Sequence, residues 1–141
     1  MPPPARTLLT DLPEGHQFPP TTFVLTADDV ARYLDAVGDT NGVYAASGCA
    51  PPLAVAARAL GGLLEVMELP AGALHTGQEV EARAAVPPGA TLTLSGRIAQ
   101  RSEREGLVIC AIAFEVTPEG AVSPAITGRT TVMVAPVGSV S

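Results

Sequence analysis

Lysine and tryptophan are absent from this chain, and cysteine and histidine occur only twice each. Without lysine, the positive charge rests on eight arginines against fourteen acidic residues, a net charge of −6. That balance argues against nucleic acid or an anionic membrane as the main partner, and any phosphate-bearing ligand has to be met locally by arginines or backbone N–H groups. Cys49 lies beside a proline turn and Cys110 inside an apolar run; two such residues make no disulfide framework and read as buried thiols. His16 and His75 stand alone, giving no metal-ligand spacing, so neither a metal nor another cofactor is expected. Long hydrophobic runs are missing too. The longest is Leu107 to Phe114, far short of the roughly 20 residues of a membrane span, and the opening Met1-Pro-Pro-Pro-Ala-Arg6 has no apolar segment, so a cytoplasmic location is expected.

Apolar residues make up 47% of the chain and charged residues 16%, a composition that folds. At 141 residues it fits one domain able to bury roughly two-thirds of its unfolded surface. Residues 1–20 hold six of the fourteen prolines and no periodicity, and are expected to form an arm, wrapped or loose, ahead of a domain over 21–136 and a tail over 137–141. A short extended piece, Thr22 to Leu25, leads to Thr26, a good N-cap. Asp28 and Asp29 suit the first turn of a helix running to Val37, with Gly38 as its stop. Pro51 to Leu69 predicts the strongest helix, with Leu53, Ala56, Ala57, Leu60, Leu63, Leu64 and Met67 at helical spacing, buried on most sides. From Gln78 the period changes to two. Gln78–Val86, Thr91–Arg101, Leu107–Thr117 and Ala125–Val134 predict strands joined by short turns, with Leu107–Thr117 central and buried on both faces. A helix followed by an antiparallel sheet that covers it is an α+β arrangement.

Three places along this order resemble the MaoC-like branch of the hot-dog superfamily, over about Thr22 to Pro136. The turn Gly38-Asp39-Thr-Asn41 resembles the start of the hydratase motif Gly-Asp-x-Asn-Pro-x-His. Ala50-Pro-Pro-Leu53 is similar to the helix start of the non-catalytic, N-terminal dehydratase subfamily. His75-Thr-Gly-Gln78 and Val86-Pro-Pro-Gly89-Ala-Thr-Leu92 resemble the family's His-x-x-Gln strand and its Pro-x-x-Gly-Asp-x-Leu turn. The resemblance implies a hot-dog fold, an antiparallel sheet wrapped around a long buried helix, with two units pairing edge to edge around a pantetheine-borne thioester. It also implies hydration of a 2-enoyl thioester, or the reverse dehydration. Water must lose a proton as it attacks the β-carbon while the α-carbon gains one, so an Asp and a His flank it. Backbone N–H groups at the start of the buried helix meet the charge on the thioester oxygen.

Carried over residue by residue, Asp39 falls on the catalytic aspartate and Asn41 on the loop-shaping asparagine. Five residues after Asp39 stands Tyr44 instead of His, a phenol with a free pKa near ~10 and a poor base at neutral pH. Gly42 replaces the motif's Pro, and Ala45 to Cys49 is shorter than in most relatives. Pro51 and Pro52 carry no N–H, which makes Leu53 and Ala54 the first amide donors for a substrate. Asp39, Tyr44 and His75 are therefore the catalytic candidates, and Asn41, Leu53, Ala54, Arg97 and Arg101 the substrate-binding ones, the arginines grouped with Arg104 toward one hairpin to meet coenzyme A phosphates. Each has a plainer reading: Asp39 serving its own turn, Tyr44 an amphipathic turn residue, His75 satisfied at a strand end, the arginines a solvated turn. Three functions remain open. One is the acyl-binding, non-catalytic or weakly active half of a heteromeric dehydratase or hydratase. Another is a homodimeric dehydratase using Asp39 with His75, or a thioesterase using Asp39 or Glu65. The third is binding or storage of an acyl thioester without catalysis, or an unrelated interaction. The expected partners are an acyl-CoA or acyl-carrier-protein thioester and a second hot-dog subunit, identical or catalytic.

Overall fold

The computed structural model describes residues 7–36, 50–65, 67–70 and 72–135. Strands β2 (Gln17–Val24), β4 (Ala73–Ala82), β5 (Thr91–Arg104), β6 (Leu107–Pro118) and β7 (Ile126–Val134) form one antiparallel sheet in the order β2-β5-β6-β7-β4. Helix α1 (Ala27–Ala36) precedes helix α2 (Pro52–Leu64), which packs on one face of that sheet. Strands β1 (Thr7–Leu8) and β3 (Met67–Glu68) pair in parallel beside it. The result is the expected α+β class, a sheet curved over a helix. Among the described residues no helix is long and apolar enough to cross a membrane.

The local sequence explains most of these elements. Thr26 and Asp29 make a reciprocal capping box: Thr26 N–H donates to the Asp29 carboxylate at 3.0 Å, and Asp29 N–H donates to Thr26 Oγ1 at 3.1 Å. These bonds, backbone first, with Arg32 one turn on, hold the Asp29 carboxyl below the ordinary carboxylate value. Strands β5 and β6 meet at Glu105-Gly106, both with positive φ, the conformation a two-residue hairpin of matching twist requires. Strand β6 is central, and Val108, Cys110, Ile112, Phe114 and Val116 are buried toward α2. Its other face is less covered than expected: Ala111 is buried, Ile109 and Ala113 half-buried, and Glu115 exposed. Burial pushes the Cys110 thiol up, against a smaller opposite pull from Arg101.

Helix α2 ends at Leu64, five residues before the expected Leu69. Met67 and Glu68, still at helical spacing in the sequence, take up backbone bonds with Thr7 and Leu8 instead, and Met67 is buried from the strand. The paired glycines Gly61-Gly62, poor helix formers, sit just ahead of that change. Nor is α2 buried on most sides. Ala54, Val55, Ala56, Ala59 and Leu63 are buried, whereas Leu53, Ala57 and Gly61 form an exposed stripe. Its close approach to the sheet depends on Gly96, where an added Cβ would lie 2.8 Å from Leu63 Cδ2.

The described part of the arm, from Thr7, is packed rather than loose. Leu9 and Leu12 are buried, and Gln17–Pro20, assigned to the arm by composition, belong to edge strand β2. The ladder with β5 is broken between Phe18 and Thr21, where Pro19 and Pro20 have no N–H to give it. Strand β4 begins at Ala73 rather than Gln78 and stops at Ala82, because Arg83 and Ala84 N–H groups both turn onto Ala125 O, at 2.7 and 3.2 Å. The turn after it is pinned twice: Ala50 N–H donates to Val86 O at 2.6 Å, and Gly89 N–H to Leu25 O at 2.8 Å.

Candidate functional site

The candidates Asp39, Asn41 and Tyr44 lie outside the described residues. What the structure does describe is the start of α2 to which they lead. Pro51 is the N-cap and Pro52 the first helical residue. Ala54 N–H donates to Pro51 O at 3.0 Å and Val55 N–H to the same oxygen at 3.2 Å. Of the expected donors, buried Ala54 is therefore committed to its own helix turn. Leu53, 57% exposed, is the one first-turn residue whose N–H donates to no carbonyl among the described residues.

Register assigns faces to the strand candidates, since directly paired residues of an antiparallel ladder point the same way. The inner face, toward α2, carries Ile112, Thr130 and Val132; the outer face carries Ala113, Arg129 and Thr131. On β4, His75 pairs with Val132 and Gln78 with Thr130, so both fall on the inner face. Three residues apart, they would fall on opposite faces of a regular strand; a bulge between His75 and Gly77 brings them together. The edge position leaves both exposed, and His75 Nε2 lies 2.9 Å from Gly77 O.

Strand β5 shows the reverse. Arg97 pairs with Ala113 on the outer face, whereas Arg101 pairs with Cys110 on the inner face, because a bulge falls between Ile98 and Gln100. Four residues apart, the two arginines would share a face in a regular strand. They are therefore not the single cluster expected, and Arg104, paired with Leu107, falls on the face of Arg97. Arg101 is bound to the arm: its Nη2 donates to Thr10 O at 3.1 Å and to the Glu103 carboxylate at 3.3 Å, and its backbone N–H donates to Glu14 Oε1 at 3.0 Å. Arg97 borders a groove of about 440 Å³ on the outer face, with Gln17, Arg83, Ser95, Glu115 and Thr127. Glu65 is the exposed C-cap of α2, about 18 Å along the helix from Leu53, which separates it from the helix start.

One polar residue in this region has no signal in the sequence. Thr130 is 3% exposed, and among the described residues its Oγ1 is the buried side-chain oxygen without a hydrogen-bond partner. A threonine in a strand is ordinary, and only the pairing of β7 with β4 places it beside Gln78.

Residues 14–119 match the family model described as FAS1-like, dehydratase domain region. No curated protein sequence matches the chain. Among solved structures it is similar to a MaoC-like dehydratase from Rhodospirillum rubrum (TM-score 0.72, 15% identity, 92% of this chain and 97% of that one). It is also similar to the (R)-hydratase from A. caviae involved in PHA biosynthesis (TM-score 0.71, 19% identity, 89% and 98%). A third is the C-terminally truncated HadBC (3R-hydroxyacyl-ACP dehydratase) complex from Mycobacterium tuberculosis (TM-score 0.67, 17% identity, 85% and 96%). At these identities the likeness shows the fold, a hot-dog.

Proposed function

Because the chain belongs to the FAS1-like dehydratase-region family, among the MaoC-like hot-dog proteins, we propose that it binds an acyl thioester as the non-catalytic or weakly active half of a two-subunit enzyme. The thioester is carried on coenzyme A or an acyl carrier protein, and the enzyme is an (R)-specific enoyl-thioester hydratase or 3-hydroxyacyl dehydratase. The observation that carries the reading is the start of α2, where two prolines have no N–H and Ala54 and Val55 both donate to Pro51 O. A positioned donor at a developing oxyanion contributes on the order of 10² to 10³ in rate, and among the described first-turn residues of α2 Leu53 N–H alone is left to supply it. Tyr44 in the place of the motif's His removes the partner of Asp39 for the proton transfers, a further 10² to 10⁴ or so.

In the assembled enzyme this chain holds the acyl group while the partner's Asp and His handle the water. Water gives one proton to the partner's base and keeps the other as its oxygen bonds to C3, while the electron pair of the C2=C3 double bond takes a proton from the partner's acid at C2. Among the described residues β2 and β4 are the edges of the sheet and pair with no further strand there, which suits pairing with that second subunit, since an uncovered ladder invites another strand. That a similar fold was solved as a HadBC dehydratase complex supports pairing with a second subunit.

The test uses the purified chain, alone and mixed with a hot-dog subunit carrying a complete Asp-x-x-x-x-His motif. Saturable binding of butyryl-CoA is expected, with stabilisation of about 2.7 kcal/mol at a hundred times Kd. Crotonyl-CoA hydration is expected to reach enzymatic rates in the mixture. No stabilisation by any acyl thioester contradicts the reading.

A further inference from the structure

Thr130, Gln78 and His75 lie next to one another on the inner face at the β4 edge, Gln78 directly opposite Thr130 and His75 in the adjoining row opposite Val132. Two features of this row cost stability without an evident return in the fold. One is the hydroxyl of Thr130, buried with no partner where valine would fill the same volume. The other is the bulge after His75, which interrupts the ladder and has the effect of turning His75 to the side of Gln78. Cross-strand partners stand about 5 Å apart at Cβ, so the Gln78 amide is within reach of the Thr130 hydroxyl, and Gln78 itself is exposed at the sheet edge.

We propose that Gln78, oriented by the Thr130 hydroxyl, recognises the 3-hydroxyl of a bound 3-hydroxyacyl thioester; this rests on the acyl-thioester reading above. The choice of a hydroxyl over a carbonyl comes from the donors and acceptors present. A carbonyl needs donors only. Gln78 offers an amide oxygen as well as an amide NH₂, matching a group that donates as well as accepts. Thr130 has almost no exposed surface, so it acts through Gln78 as a positioning residue: its Oγ1 accepts from the amide nitrogen and leaves the amide oxygen facing the ligand. A bound 3-hydroxyl supplies the contact that fixes this arrangement.

The experiment is calorimetric titration of the full chain with (R)-3-hydroxybutyryl-CoA and with butyryl-CoA, which differ by the one hydroxyl. The wild type is expected to prefer the hydroxylated ligand by about tenfold, the scale of one good neutral hydrogen bond. Gln78→Leu and Thr130→Val should bring the two affinities together, and Thr130→Ser should keep the preference. Thr130→Val should also melt a few degrees higher, since it removes an unpaired buried hydroxyl. Equal affinities in the wild type, or a preference that survives in Gln78→Leu, overturn the proposal and leave the acyl-thioester reading standing. A wild type that binds neither ligand overturns both.

Discussion

Strands β4 and β5 each carry one bulge, and the two bulges have opposite consequences. In β4 the extra residue gathers two polar side chains, His75 and Gln78, onto the helix side of the sheet. In β5 it separates Arg97 from Arg101, leaving one on the outer face and turning the other inward against the arm. A bulge changes the face of everything beyond it, so residue spacing within a strand is no guide to which side chains meet. Position in the sheet then decides how the redirected side chains are used. The β5 bulge lies next to Ile98 in the core, and its inward arginine fastens the arm. The β4 bulge lies on the edge strand of the described sheet, where His75 and Gln78 are exposed.

Core substitutions should break this contrast most strongly. Ile98→Ala, beside the β5 bulge, should cost about 2–5 kcal/mol in urea denaturation, and Ile98→Asp should prevent folding. Leu74→Ala, beside the β4 bulge but 65% exposed, should stay within about 0.5 kcal/mol. Equal losses at the two sites would mean that the edge strand is not open.

The arginines sharpen the same comparison at a smaller scale. Arg101→Ala removes hydrogen bonds from a charged donor to Thr10 O and Glu103, and should cost about 1.5–3 kcal/mol. It should also speed proteolysis within residues 7–14. Arg97→Ala should change stability by less than about 0.5 kcal/mol and leave the arm protected.

The least affected region is α1, outside both bulged strands. Its Asp29 carboxyl is held below the ordinary value by the capping bonds from Thr26 and by Arg32. A depressed folded pKa contributes stability that is present above the unfolded pKa and lost as pH falls through the folded one. The wild type should therefore lose a small increment of stability below about pH 4, and Asp29→Asn should lack that part of the slope in a pH series of melts.

These cases also mark what the sequence could disclose. The alternation of Leu92, Leu94 and Ile98 and the apolar run of β6 gave their strands and the central position directly. The capping residues Thr26 and Asp29 likewise placed α1. The start of β4 was hidden because its bulge breaks the period of two at Thr76, and β2 because Pro19-Pro20 read as an irregular arm. The end of α2 was hidden because Met67 continues the helical spacing while its strand partner, Thr7, lies far upstream. Of the candidate residues, Asp39 was legible as a match to a motif, and Tyr44 and the proline pair as departures from it. Thr130 was not, since its burial and its neighbour Gln78 come from pairing between distant strands.

The central claim is that this chain holds a thioester without hydrating it, and crotonyl-CoA hydration by the purified chain alone tests it most directly. The rate should fall at least about 10²- to 10⁴-fold below that of hydratases with an intact Asp and His, with Asp39→Asn and His75→Ala little different from the wild type. A wild-type rate near that of active hydratases, collapsing in either variant, would contradict the claim and make Asp39 with His75 the working pair.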